Sequence, residues 1–178
     1  MSNTPLRIVT PDARDGSSPS LTRYTRVIGL GLLSMSLLLI GVGGIYGGLV
    51  FLLDPSGSLM GMSLSFLEGL PIHSYLLPGL WLLTAMGAAP LLILYGLLAR
   101  PAWAWTAVIE QRSHAYWAWT AALALCVVLL LQLAVEFLLG MTGAPWVVTG
   151  VLNLVALACL LLPVVRARYM LAMPHALR

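Results

Sequence analysis

Four titratable side chains lie between or at the margins of the apolar segments, and their types could bind a metal ion. Asp54, Glu68 and Glu136 supply carboxylates, and His73 supplies an imidazole. Carboxylates bind hard cations, and imidazole together with carboxylates binds zinc. The spacing contains no HxxxH, HxxE or ExxH pattern that would assign these residues to one metal. We therefore favour the simpler interpretation, in which Asp54 forms a turn, Glu68 faces water and no metal is bound.

Three further polar positions fall inside the apolar segments. Gln132 and Glu136 are four residues apart and share one face of a helix. Asn153 lies in the next segment, at a similar depth, and we predict that it bonds Gln132, a contact worth about 0.6–2 kcal/mol. The alternative is that Glu136, Gln132 and Asn153 line a permeation path, because an acid within a membrane span indicates a function by default.

Other chemistries lack the residues they need. Cys126 and Cys159 lie in apolar runs without a CxxC pattern, which excludes a zinc ribbon or a thioredoxin-like motif. No Walker motif, no GxSxG and no pair of histidines at one depth is present. We predict no catalytic residue and no cofactor, while a bound lipid or pigment stays open.

The composition points to the membrane. Of the 178 residues 60% are hydrophobic and only 8% are charged, against about 25% charged residues in soluble domains. Too few charges are available for a polar shell, so a soluble domain is excluded. The basic residues are also too scattered to follow a nucleic-acid backbone.

Four apolar segments are each long enough to cross a ~30 Å hydrocarbon core as a helix. They predict an all-α polytopic membrane protein with four transmembrane helices in an antiparallel bundle. The segments are Val27–Leu53, Tyr75–Leu98, Tyr116–Leu139 and Trp146–Val165.

All nine basic residues are Arg, and all of them fall on one side of this topology. The positive-inside rule makes that side cytoplasmic, with both termini inside. We predict a disordered tail over 1–25, a membrane domain over 26–168 and a second tail over 169–178. We also expect an interfacial aromatic belt on the inner side. It would be formed by Trp103, Trp105, Trp117 and Trp119.

Helix packing should depend on small residues, because lipid provides no hydrophobic drive for helix association. Gly43 and Gly47, and Gly44 and Gly48, form two overlapping GxxxG pairs that predict a close helix crossing, inside the bundle or with a partner. Pro90, inside the second segment, should kink its helix.

The outer loop, Asp54–Ser74, begins with DPSG, which predicts a type I turn. The apolar run that follows is too short to span, so we expect a short loop that is interfacial or re-entrant.

The loop and the start of the second segment resemble a family of four-helix bacterial integral membrane proteins with a DPSG outer loop and no assigned activity. Three positions depart from the pattern: Ser63 replaces a proline, and Ile72 and His73 replace an aromatic and an acid. The resemblance implies the topology and a bacterial plasma membrane, and it transfers no catalytic residue. The matching residues are Asp54, Pro55, Ser56, Gly57, Gly61, Met62, Leu64, Gly69, Pro71, Tyr75, Leu76, Pro78 and Gly79.

These observations predict a non-catalytic structural or accessory subunit of a membrane complex. Its partners would be membrane lipid and other subunits or further copies of the chain, reached through the glycine face and the outer loop. The alternative is a small oligomeric transporter or channel. A weaker alternative is a membrane enzyme or an outer-face metal site formed by Asp54, Glu68, His73 and Glu136.

Overall fold

The computed structural model describes residues 19–68, 71–101, 103 and 106–170. This part of the chain is helical and contains no strand. Two short 3₁₀ turns, Ser58–Met60 and Leu64–Leu67, lie in the loop after the first helix. The α-helices are α1 (Pro19–Leu53), α2 (Leu76–Trp81), α3 (Ala89–Ala99), α4 (Ala107–Ser113), α5 (Trp117–Leu138), α6 (Ala144–Leu161) and α7 (Pro163–Tyr169).

Four helical segments are long and apolar enough to cross a membrane, which confirms the predicted all-α class and the number of candidate spans. The second segment is continuous from α2 through α3, because the intervening residues form a π-helix. The other three belong to α1, α5 and α6. The four segments are Leu21–Leu53, Leu76–Ala99, Trp117–Leu138 and Ala144–Leu161.

The first helix begins before the predicted boundary, so the prediction of a disordered tail as far as residue 25 is wrong. The helix runs from Pro19, and Thr25 donates its hydroxyl to the carbonyl of Leu21 at 3.0 Å. Its 35 residues extend about 52 Å, well beyond a ~30 Å hydrocarbon core. A helix can continue past the membrane with polar residues, and hydropathy alone does not detect this. Residues 1–18 of the predicted tail lie outside the described residues.

The second span departs from α-helical geometry one turn before its interior proline. Residues Leu82–Ala88 form a π-helix, and the Ala89 N–H bonds the carbonyl of Thr84. Pro90 has no N–H, and in a regular α-helix its ring would press on the carbonyl of Met86. The helix distortion caused by Pro90 takes the form of the wider π-helical turns over Leu82–Ala88.

The close helix crossing predicted from the glycines is internal. A Cβ on Gly44 would overlap the backbone of Met86, and one on Gly48 would lie 2.7 Å from the Leu83 nitrogen. These glycines let α1 approach the π-helical segment of the second span. A Cβ on Gly47 would meet only side-chain methyl groups, of Leu82 at 3.3 Å and Met60 at 3.9 Å, and Gly43 has nothing within 4 Å. The 44/48 pair therefore makes the crossing and is not available to a partner subunit.

The chain stays packed beyond the fourth span, so the predicted extension of that span to Val165 and the tail over 169–178 need correction. Leu162 is extended because Pro163 follows it, and α6 ends there. Tyr169 is buried, and its hydroxyl donates to the carbonyl of Leu97 at 3.2 Å. Residues 171–178 lie outside the described residues.

Two tryptophans of the predicted aromatic belt belong to the core. Trp117 and Trp119 are only 3% and 8% exposed, and the Trp119 indole donates to the Leu160 carbonyl at 3.3 Å. They begin α5, where Trp103 and α4 pack against them. Trp105 lies outside the described residues. Composition places tryptophan near an interface but does not reveal when a folded loop covers it.

The two ends of the helix assembly differ in charge. We call one the acidic end, where α1 leads to α2 and α5 leads to α6; it carries Asp54, Glu68 and Glu136. We call the other the arginine end, where α3 leads to α4 and α6 leads to α7. Its described exposed arginines are Arg23, Arg26, Arg100, Arg166 and Arg168.

Candidate functional site

A chain of hydrogen bonds joins the second and third spans near the acidic end. The Trp81 indole donates to Gln132 Oε1 at 2.7 Å, and Gln132 Nε2 donates to Glu136 Oε1 at 2.8 Å. Gln132 Nε2 also lies 3.2 Å from Met86 Sδ. An indole N–H can only donate, so it determines which way the Gln132 amide points. The amide must then present its own N–H groups to the carboxylate and the thioether.

The helices bring these side chains to similar depths. Gln132 precedes the end of α5 at Leu138 by six residues, and Trp81 follows the start of α2 by five. At 1.5 Å per residue both lie about 8–9 Å from the helix ends. Glu136 lies one turn nearer the end of α5, on the same face as Gln132, as their spacing predicted.

The polar chain lines an open groove, which we call the Glu136 groove. It lies on the surface, where Leu131 is 64% and Trp81 is 46% exposed. Gln132 and Glu136 are themselves half-buried. The groove residues are Trp81, Val128, Leu131, Gln132, Val135 and Glu136. The Glu136 carboxylate and the Gln132 amide therefore lie on an otherwise apolar surface, and apolar surfaces of this kind typically face lipid.

The Glu136 carboxylate is only partly satisfied. Within the described residues its side chain accepts one hydrogen bond, from Gln132, and forms no ion pair. Carboxylates have room for several donors, and a second charge would stabilise the ionised form. The groove can thus accept a cationic or hydrogen-bonding group from outside the chain.

No family model, no curated protein and no solved structure matches this chain.

The predicted hydrogen bond between Gln132 and Asn153 is wrong. Asn153 is completely buried, and its Nδ2 donates to the Cys126 carbonyl at 3.0 Å, while Oδ1 has no partner among the described residues. Cys126 precedes Gln132 by six residues, which is about 9 Å along α5 and a different helical face. Counting depth from the helix ends did not account for the register of the α5–α6 pair. Gln132, Glu136 and Asn153 therefore do not line one path within a single chain.

The two cysteines lie in the interior of the helix assembly. Cys126 and Cys159 are buried and free. They pack in the main hydrophobic cluster as small apolar side chains.

The carboxylates at the acidic end do not converge on a metal site. Among the described residues, no three of the types His, Cys, Asp and Glu lie together in a way that could hold an ion. Glu68 and His73 are exposed. Asp54 instead accepts hydrogen bonds from the hydroxyls of Ser56 and Ser58 and from the Leu59 N–H. These donors hold the pKa of the Asp54 carboxyl well below its usual range.

The outer loop is built around Tyr75. Its N–H donates to the Pro55 carbonyl at 2.8 Å, its hydroxyl donates to the Ser63 carbonyl at 2.6 Å, and its ring stacks on Phe51. The Gly57 N–H closes the predicted turn on the Asp54 carbonyl. Gly57 has φ +80°, and a Cβ there would press on the Tyr75 ring. The DPSG and Tyr75 residues that carry the family resemblance thus form one structural unit. Gly69, another resembling residue, lies outside the described residues.

Sequence reasoning missed Trp81 and Met86. A glutamine in a span needs partners, and the available signal was the depth of Trp81 in the neighbouring span, which equals that of Gln132. The contact of Met86 with Gln132 depends on the π-helical turn, which rotates the residues after Leu82 relative to an α-helix. Residue spacing alone does not predict that rotation.

Proposed function

We propose that this chain is a non-catalytic accessory subunit of a membrane complex. In this proposal the Glu136 groove receives a transmembrane segment of a partner protein that carries an arginine or lysine. The observation that supports the proposal is the half-buried Glu136 carboxylate, with one hydrogen bond and no cation beside it in the described structure.

Electrostatics favour a partner with a basic side chain. An ionisable side chain in a span is expensive when it faces lipid, and such residues usually pair with another polar group. The apolar walls of the groove would match the side of a helix, while Glu136 would match its charge. Two neutral neighbours, Trp81 and Gln132, hold the carboxylate side of the groove in place before the partner arrives.

A second copy of the chain is a poorer occupant. Two of the nine basic residues, Arg23 and Arg26, lie at the start of the first span, at the end opposite to Glu136. The other seven precede the first span, lie between the second and third spans, or follow the fourth. A copy inserted in the same direction would bring no arginine to the level of Glu136. Charge complementarity therefore favours a different protein.

The setting is part of the proposal. The arginine distribution supports an orientation with both termini in the cytoplasm. We also propose that the membrane is a bacterial plasma membrane and that the chain belongs with the DPSG-loop family that it resembles. In that orientation the Glu136 groove opens toward the outer leaflet.

Site-directed photo-crosslinking in native membranes tests the proposal. A crosslinking residue replaces Leu131 in the groove, and the matched control replaces Leu154, which is similarly exposed on α6. We expect one protein adduct from position 131 and none from position 154. The Glu136→Gln variant, which keeps the shape of the side chain, should lose this adduct. The adduct partner should carry a basic residue in its crosslinked span, and replacing that residue with methionine should abolish the adduct.

Three results would contradict the proposal. They are lipid adducts alone at position 131, an adduct of two copies of this chain, and an adduct that survives Glu136→Gln unchanged.

A further inference from the structure

The exposed arginines at the arginine end come from three separate elements. Arg26 lies near the start of α1, Arg100 follows α3, and Arg166 and Arg168 belong to α7. None of them forms an ion pair within the described residues. The feature is independent of the Glu136 groove, which lies at the opposite end.

Specific contacts hold these elements together. A Cβ on Gly29 would lie 3.1 Å from side-chain atoms of Leu162 and Val165, so α1 closely approaches the start of α7. The Arg100 Nη2 donates to the Arg168 carbonyl at 2.9 Å, and its guanidinium lies 4.8 Å from the centre of the Tyr169 ring. The arginines therefore lie at a packed junction, which is formed by the start of α1, the end of α3 and α7.

The α7 helix carries its charges beside a buried strip formed by Val165 and Tyr169. Val165 and Tyr169 are one turn apart and buried, while Arg166 and Arg168 are exposed. At 100° per residue, the two arginines project about 80° to either side of that buried strip. Apolar side chains next to the junction are also exposed, with Ile28 at 59% and Leu98 at 66%. This arrangement is typical of a short helix at a membrane surface.

We propose that this junction binds the phosphate groups of anionic phospholipids. Arg26, Arg166 and Arg168 supply the charge, and Arg100 positions α7 through the Arg168 carbonyl. Guanidinium groups bond phosphate oxygens in a bidentate manner. The nearby acid of the inner loop, Glu110, accepts a bond from the Trp117 N–H and forms no ion pair with a described arginine. The exposed apolar side chains would receive the acyl chains.

Lipid titration of the purified full chain tests this proposal. The protein in a neutral detergent receives phosphatidylglycerol, phosphatidylcholine or inorganic phosphate, and its Tm is measured at each concentration. Phosphatidylglycerol should raise the Tm by several degrees more than phosphatidylcholine, and 0.5 M salt should reduce this difference. Inorganic phosphate at the same concentration should have no such effect.

Variants locate the effect. The double variant Arg166→Gln/Arg168→Gln should bind phosphatidylglycerol about 25-fold more weakly, which is about fivefold for each arginine near an anionic surface. The control Arg112→Gln removes one arginine from α4, compared with two in the double variant, and should keep the lipid response. If the double variant does not fold, the Arg166→Lys/Arg168→Lys variant should keep the charge and bind more weakly than wild type. Equal responses to both lipids, an equal response to free phosphate, or equal losses in the Arg112 control would overturn the proposal.

Discussion

The closed contacts between the helices and the open Glu136 groove use polar and small residues in opposite ways. We call these closed contacts, of Gly44 with Met86 and of Asn153 with Cys126, the interior seam. In the interior seam, Gly44 packs against the backbone of Met86. Asn153 is fully buried and donates its amide N–H to the Cys126 carbonyl. In the groove, Gln132 and Glu136 bond each other beside exposed apolar side chains. Both regions lie in spans of similar hydropathy. The difference shows that a polar residue within a span can hold a protein together or be kept available for another molecule.

The comparison separates two measurable quantities. Changes in the seam should lower the free energy of unfolding of the isolated chain. Changes in the groove should leave that free energy nearly unchanged and reduce partner binding.

The largest effect is expected at Gly44. Gly44→Val would force side-chain atoms into the backbone of Met86 and Gly87, and we expect a loss of about 3 kcal/mol of stability or failure to fold. Gly43→Val, which has nothing within 4 Å, is the matched control and should be nearly neutral. Reversible unfolding in mixed micelles measures both. Equal losses in the two variants would mean that the helix crossing does not depend on Gly44.

A smaller loss is expected for Asn153→Ala, which removes a buried hydrogen bond and leaves a small cavity. We expect about 1–2 kcal/mol in the same unfolding assay. Leu154→Ala, at an exposed neighbouring position, should change the stability by less than about 0.5 kcal/mol. Partner retention should be unaffected by either change. A loss of partner with Asn153→Ala would remove the distinction between seam and groove.

Trp81→Phe tests the groove by removing the indole N–H while keeping an aromatic ring. It removes the indole donor to Gln132, and we expect a stability loss of about 0.6 kcal/mol. Trp146→Phe removes a comparable indole bond, to the Leu133 carbonyl at 3.0 Å, outside the groove. The two variants should unfold alike, but only Trp81→Phe should reduce crosslinking from position 131. A reduction in both variants would show that crosslinking follows stability and does not report on the groove.

The smallest effect concerns the outer loop, which should belong to neither region. The pKa of Asp54 is lowered in the folded state, so its stabilisation is present above the ordinary value of 3.8 and is lost as the pH falls below it. Hydrogen exchange of the Leu59 and Tyr75 amides should therefore be equally protected at pH 7 and 4.5. Asp54→Asn should reduce the protection of Leu59 at pH 7. Loss of protection between pH 7 and 4.5 in the wild type would contradict this account of the loop.

Much of the fold is encoded in simple features of the sequence. The four spans follow from apolar length, and all four of their boundaries on the acidic-end side lie within two residues of the prediction. The start of α1 was less accessible, because polar residues such as Thr22 and Arg23 continue a helix without any change in hydropathy that marks its beginning. The arginine end was the hardest part to predict from the sequence. The burial of Trp117 and Tyr169 depends on packing between segments far apart in the chain.

The candidate site was only half predictable. The pairing of Gln132 and Glu136 follows from their four-residue spacing within one helix. The partners of Gln132 and Asn153 on other helices depend on rotation and register, and one hydrogen bond between the wrong pair was predicted from depth alone. The role of the glycines was predictable as a close crossing, but its partner inside the bundle was not.

Native mass spectrometry of the protein in membrane patches tests the central claim most directly. Patches from cells that carry wild type, Glu136→Gln or Asn153→Ala are compared for the masses that accompany this chain. We predict a stoichiometric partner with wild type and with Asn153→Ala, and its absence with Glu136→Gln. A wild-type chain without any protein partner, or equal retention of the partner in all three samples, would contradict the claim that the Glu136 groove is a docking site.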